Sequence, residues 1–237
     1  MVQRHSIVLW RKAEKKAKEF EELAKETYEI MTIFQSYPIE IRPNYLAEKL
    51  KNDTNKFEWN YENFKDVLKK GVNKENEREF KDLGYSLSFF SSMSEHNSCS
   101  FEITVGNKNE RFYNTIIINL PVSLNYFEIR TTDMIRELFG KLVQVYRPYW
   151  GCVSNKILSR KYGKFLDGDL PTTVHWMNYW SENIISKIGE DKIQKIVDEN
   201  SMLTFEEGRL FIKDTAFDIE NYEDVSYHEF LHKQFFA

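Results

Sequence analysis

The sequence predicts an α+β fold in a single domain over residues 1–237, an antiparallel β-meander packed with a long N-terminal helix and further helices. Three observations predict it. Tyr85–Phe89 and Cys99–Val105 alternate apolar and polar with period two, and Thr115–Leu120 is a third β-prone run stopped by Pro121. An apolar stripe at steps of three and four runs from Trp10 through Ala13, Ala17, Phe20, Ala24, Thr27 and Met31 to Phe34. No internal repeat or low-complexity linker divides the chain.

The elements follow in order. Ser6–Trp10 is a short β-prone run. The stripe that starts at Trp10 predicts a helix over 10–36, ended at Tyr37 by Pro38, because the residue before proline is pushed out of the helical region. A smaller helix is expected after Pro43, with Leu46 and Leu50 inward. Asn60–Lys70 carries a full set of helix signals: Asn60 as N-cap, Trp59 and Phe64 as a hydrophobic staple, and Gly71 past the end. The three β runs come next, separated by Ser-, Asn- and Gly-rich loops, which suits a meander with one wet face.

A helix is expected from about Thr132 to Arg147, with Met134, Ile135, Leu138, Leu142, Val145 and Tyr146 on its apolar face. Trp150–Ser154 reads as a strand. Pro171–Trp180 is too short and too aromatic for periodicity to settle, and Ser181–Asn200 is mostly helical. Met202–Phe205 and Arg209–Ile212 form a hairpin around Glu206-Glu207-Gly208. A last helix over about Glu223–Phe236 is expected to turn Val225, Phe230 and Leu231 inward.

Composition excludes several function classes. Apolar residues at 41% and charged residues at 30% belong to a folded globular chain rather than a disordered one. A net charge of −4 does not suit a nucleic-acid binder, which needs a phosphate-neutralising excess of cations. No apolar run spans a bilayer and the N-terminus turns charged before a signal core can form, so a cytoplasmic protein is expected. Two cysteines make no disulfide framework. Charge is uneven: residues 182–224 hold twelve acids against five bases, an acidic face that could attract a basic partner.

One string looks catalytic. His228-Glu229-Phe230-Leu231-His232 matches HExxH, which presents two zinc ligands one helical turn apart with a glutamate base between them. Zinc hydrolysis needs a third protein ligand and an open position for water. Downstream only Lys233–Ala237 remain, and upstream His175 stands at no supporting spacing. A terminal helix with exposed histidines is therefore expected, with no metal, no cofactor and no catalytic residues; a zinc-dependent peptidase is the alternative. Cys152 with His175 is a weaker nucleophile-and-base pair, and a buried structural cysteine is expected instead. The aromatic set Trp176, Tyr179 and Trp180 suits core packing or a protein interface.

The order of elements also carries a resemblance. Ser6–Trp10 followed by an Ala-rich helix, Leu83-Gly-Tyr-Ser-Leu-Ser-Phe89, Cys99–Gly106, Asn114-Thr-Ile-Ile-Ile-Asn-Leu-Pro121, Val174–Ser181 and Gly208–Asp218 together resemble the immunity protein 52 family of bacterial polymorphic toxin systems. Phe90 and Ser91 depart from its Trp-Asn-Gly turn, His175 stands for Gly, and Trp180 for Leu. The resemblance implies a non-enzymatic protein that binds and neutralises a cognate toxin, typically a nuclease of restriction-endonuclease fold. A basic nuclease domain would then meet the acidic region, with Glu206 and Glu207 at an exposed tip, Asp198 and Glu199 beside it, and Trp176 and Tyr179 as aromatic anchors. A scaffold without a toxin partner is the remaining alternative.

Overall fold

The computed structural model describes residues 3–13, 18–47, 56–76, 78–94, 96–163, 165–197 and 201–236. The architecture is α+β, and the chain divides into two units, Trp10–Pro121 and Met1–Leu9 with Val122–Ala237. Strand β1 (His5–Lys12) begins in the second of these and ends in the first. Its residues 5–9 are all buried, because Ile7, Val8 and Leu9 find apolar neighbours on both faces and leave no polar side to alternate.

In the unit Trp10–Pro121, helix α1 (Phe20–Thr32) buries Leu23, Ala24, Thr27, Ile30 and Met31, and a 3-10 turn at Ile33–Ser36 carries the chain to Pro38. The helix expected over 10–36 is thus shortened at its start, since Trp10–Lys12 belong to β1 and Ala17 lies outside the described residues. An apolar position every few residues cannot by itself separate a buried strand from the helix that follows it. The helix expected after Pro43 is instead a short strand, β2 (Tyr45–Leu46), with Leu46 buried and Leu50 outside the described residues.

Helix α2 (Tyr61–Lys70) is built as its signals require. Asn60 accepts from the Asn63 amide at 2.9 Å, and Trp59 stacks on Phe64 with ring centroids 5.9 Å apart. Next come β3 (Lys74–Glu75), β4 (Arg78–Glu79), β5 (Leu83–Phe90), β6 (Ser100–Asn107) and β7 (Tyr113–Asn119). Strands β7-β6-β5-β2 lie side by side, with antiparallel registers from β2 through β7. Leu87, Phe89, Phe101, Ile103, Val105, Ile116 and Ile118 are buried while their neighbours are wetter, so the meander has the one wet face its alternation predicts. Gly84 is required where β5 approaches β6: its φ is +75°, and a Cβ there would stand 2.2 Å from the Val105 carbonyl oxygen.

The other unit continues with α3 (Ile129–Tyr146), β8 (Trp150–Asn155), α4 (Lys156–Lys161), β9 (Leu166–Asp167) and β10 (Leu170–Pro171). It closes with β11 (Met177–Ser181), α5 (Glu182–Ile188), α6 (Glu190–Val197), β12 (Ser201–Phe205), β13 (Gly208–Ile212) and α7 (Tyr222–Phe236). The buried stripe of α3 runs through Phe139 and Val143, and Val145 is exposed. Gly189, at φ +97°, splits the expected 181–200 helix into α5 and α6. The strands lie in the order β12-β13-β11-β8-β1. Strand β11 pairs with both β13 and β8, and its residues Met177–Trp180 are all buried, so both of its faces are covered and 174–181 shows no alternation.

Phe64 is fully buried and touches Tyr28, Trp59 and Phe89, so Phe64→Ala should cost about 3–5 kcal/mol by chemical denaturation. Exposed Lys69→Ala on the same helix should stay within about 0.5 kcal/mol.

Candidate functional site

Two regions of the unit that ends the chain carry the residues singled out above: the HEFLH helix and the acidic hairpin. On α7 the buried residues are His228, Leu231 and Phe235, at steps of three and four. His228 is 1% exposed, which corrects the expectation of exposed histidines; Phe230 lies about 200° around the helix from it and is 49% exposed, which corrects its inward placement. The imidazole takes the position an aliphatic residue would fill, between Phe217 and Tyr162, with ring centroids at 5.0 and 5.5 Å.

The His228 Nε2–H donates to the Val174 carbonyl at 3.0 Å, which sets the tautomer and occupies that nitrogen. Its Nδ1 is buried with no protein partner. Glu229 points the other way and pairs with Lys161, which holds its carboxyl below the usual carboxylate range. The His232 ring stacks on Tyr162 at 3.9 Å and bonds the Thr172 backbone. The three motif residues are thus committed to a carbonyl, a lysine and a tyrosine. Among the described residues no three His, Cys, Asp or Glu side chains gather as a metal set.

His175 is buried against Trp150 and Phe165, with centroids at 5.9 and 5.7 Å. The side chain of Asn178 closes the bend ahead of β11, accepting from the His175 amide at 2.8 Å and donating to its carbonyl at 2.7 Å. Cys152 is fully buried, and burial pushes its thiol well above the usual range, the opposite of an activated nucleophile. A third histidine, His5, packs on Tyr126 at 4.3 Å and is buried as well.

The six residues expected at a partner interface separate into three groups. Glu206 and Glu207 form the exposed two-residue turn between β12 and β13. Trp176 and Tyr179 are 1% and 2% exposed, so neither offers a surface to a partner; this corrects their placement as anchors. The Trp176 Nε1–H donates to the Lys213 carbonyl at 3.1 Å, and Tyr179 packs its ring on Phe205. Asp198 and Glu199 lie outside the described residues.

The turn is more acidic than its two residues suggest. The Glu182 amide donates to the Glu207 carbonyl at 3.0 Å, which brings a third carboxylate to the tip. Burial, then Glu207 and Glu182, push the Tyr179 phenol up to about 12. Arg147 stands 3.7 Å from Glu207 and is itself exposed. Elsewhere in 182–224 two acids have cationic partners within the segment: Arg209 binds Glu190, and Lys213 binds Asp224 at 3.1 Å.

Periodicity missed one feature of the other unit. A groove of about 490 Å³ runs over the wet face of the meander, floored by the hydroxyl row Ser86, Thr104 and Thr115 and flanked by Phe80, Leu83 and Phe112. Phe112 is 56% exposed. A phenylalanine directly after the polar run Asn109–Arg111 in the hairpin loop was the available signal, because such a ring has no local packing reason to be there.

No known protein family is matched by the sequence, and no curated relative matches it. Among solved structures, Pseudomonas aeruginosa T6SS protein PA0821 is similar in fold, with a TM-score of 0.63 at 11% identity, over 98% of this chain and 72% of that one. No helix among the described residues is long and apolar enough to cross a membrane.

The buried histidines make a pH prediction. Burial lowers His5 to about 4, His175 to about 3 and His228 to about 4, below the ~6.5 of an unfolded histidine. The unfolded chain binds protons that the folded one refuses, so stability is full above pH ~6.5 and falls as pH drops from there toward pH ~4. Each histidine removes up to about 1.4 kcal/mol per pH unit in that window. Urea midpoints at pH 7.5, 6 and 5 should decline in order, and His175→Gln should shallow the decline; an unchanged midpoint would contradict the burial.

Proposed function

We propose that this protein is an immunity-type binding protein of the immunity protein 52 kind, which neutralises a cognate toxin by protein–protein contact and has no catalysis of its own. The observation that carries the proposal is the acidic tip of the β12–β13 hairpin. Glu206 and Glu207 are exposed there, the Glu182 amide is bonded to the Glu207 carbonyl, and Arg147 stands near Glu207. A nuclease toxin presents a basic substrate groove, and exposed carboxylates at a protruding turn suit that groove as phosphate mimics.

The fold likeness to a T6SS protein supports the reading at the level of architecture. So does the arrangement of the motif residues His228, Glu229 and His232, whose side chains are taken up in packing and pairing. With Trp176 and Tyr179 in the core, the aromatic part of the contact falls to exposed rings of the hairpin's own unit, such as Tyr222. The partner in this proposal is a basic nuclease domain of restriction-endonuclease fold, and the site of action is the cytoplasm.

The test is growth of cells that express the toxin encoded beside this chain's own gene. Co-expression of the chain should restore growth, and the purified pair should bind with nanomolar affinity, about −12 kcal/mol. Glu206→Lys with Glu207→Lys should slow association at least tenfold at low salt, with a smaller effect at high salt, because rim charges act mainly on encounter. No rescue and no complex would overturn the proposal.

A further inference from the structure

The edge of the hairpin has an independent feature. Strand β12 ends the strand order of its unit and pairs only with β13, in an unbroken antiparallel register from Ser201↔Ile212 to Phe205↔Gly208. The two-residue turn makes Phe205–Gly208 the closing hydrogen-bonded pair. Alternation then turns the amides and carbonyls of Met202 and Thr204 away from β13, toward the outer edge. Met202 and Leu203, consecutive and so on opposite faces, are 38% and 46% exposed, and Thr204 is exposed too. Among the described residues, neither face at these positions is covered and nothing pairs with the edge.

Proteins blunt such edges with lysine, proline, a bulge or a covering element. The sequence Ser201-Met-Leu-Thr-Phe205 has no charge and no proline, and its register has no bulge. We infer that the outer edge of β12 is a docking site for an extended segment of a partner protein, carrying lysine or arginine at its ends and added as an antiparallel strand. Backbone bonds to Met202 and Thr204 would hold it, and Met202 and Leu203 would cover its apolar side chains.

Charge selects this occupant. Glu206 and Glu207 stand at one end of the edge, in the turn that follows Phe205. The uncharged Ser201–Phe205 edge of a second copy brings no cation to that end, whereas a strand that ends in lysine or arginine meets opposite charge there. The inference rests on the binding-protein reading and names the contact that such a protein would use.

The test uses the full chain, labelled with nitrogen-15 and titrated with the peptide Lys-Thr-Val-Thr-Val-Thr-Lys or the same peptide with glutamate ends. The Lys-ended peptide should shift the Met202 and Thr204 amides and bind at least tenfold more tightly than the Glu-ended one. Thr204→Pro removes an outward amide and spares the ladder to β13, so it should weaken binding tenfold or more. Leu203→Lys, which adds a charge at an exposed position and leaves the backbone intact, should weaken it similarly if the proline variant fails to fold. Equal affinity for the two peptides, shifts confined elsewhere, or a concentration-dependent dimer that Thr204→Pro abolishes would overturn the inference. A Thr204→Pro chain that neutralises the toxin in full also overturns it while sparing the proposed function. A wild-type chain that binds the Lys-ended peptide but fails against the toxin does the reverse.

Discussion

The bond from His228 Nε2 to the Val174 carbonyl anchors the last helix to the segment that leads into β11. An imidazole in a dry interior has to be neutral and has to give its one N–H to an acceptor, or it costs about 1–3 kcal/mol. The Val174 carbonyl provides that acceptor. Once the bond is made, α7 has one rotational setting: Leu231 and Phe235 face inward, Phe230 faces water, and Glu229 is left on the Lys161 side. The same setting orders the layer beneath, where His175 and Asn178 shape the bend and Trp176 reaches the Lys213 carbonyl. Asn178, the Trp176 Nε1–H and the His228 Nε2–H are matched to backbone, while His175 Nε2 and His228 Nδ1 are buried without a hydrogen-bond partner among the described residues.

The setting of α7 also decides where the HExxH side chains go. A residue string records spacing along a helix and says nothing of which way the helix is turned. Metal chemistry would need both imidazoles aimed at one open point, with water able to reach it. Here the first imidazole is spent on a carbonyl and the second lies flat on Tyr162, so the spacing survives as a packing device.

What the sequence made legible follows the same division. The meander was readable because one of its faces is wet, so Ser86, Ser88 and Thr104 alternate with Leu87, Phe89 and Ile103. Helix α2 was readable because Asn60, Trp59 and Phe64 act locally. By contrast β1 and β11 are covered on both faces, and there periodicity vanishes: Trp10 was assigned to a helix, and Trp176 and Tyr179 to a surface. The Glu206–Glu207 turn was legible from its polarity between two apolar runs. Its reinforcement by Glu182 was not, since that contact joins residues far apart in the chain through a backbone bond.

Buried aromatics and exposed carboxylates have opposite consequences for recognition. Tyr179 and Trp180 of β11 are buried in the core, and Gly208 lets the hairpin lie close on that strand: a Cβ there would meet the Trp180 carbonyl oxygen at 2.4 Å. The acidic tip is therefore carried on a hairpin packed against a buried strand. A charge held in place loses little conformational freedom on binding, so more of its attraction appears as affinity. Electrostatic steering alone speeds encounter without prolonging the complex, and longevity needs desolvated contacts. On this hairpin those contacts can come only from Met202 and Leu203 and from the open backbone of β12, because the rings beside them are already used by the fold.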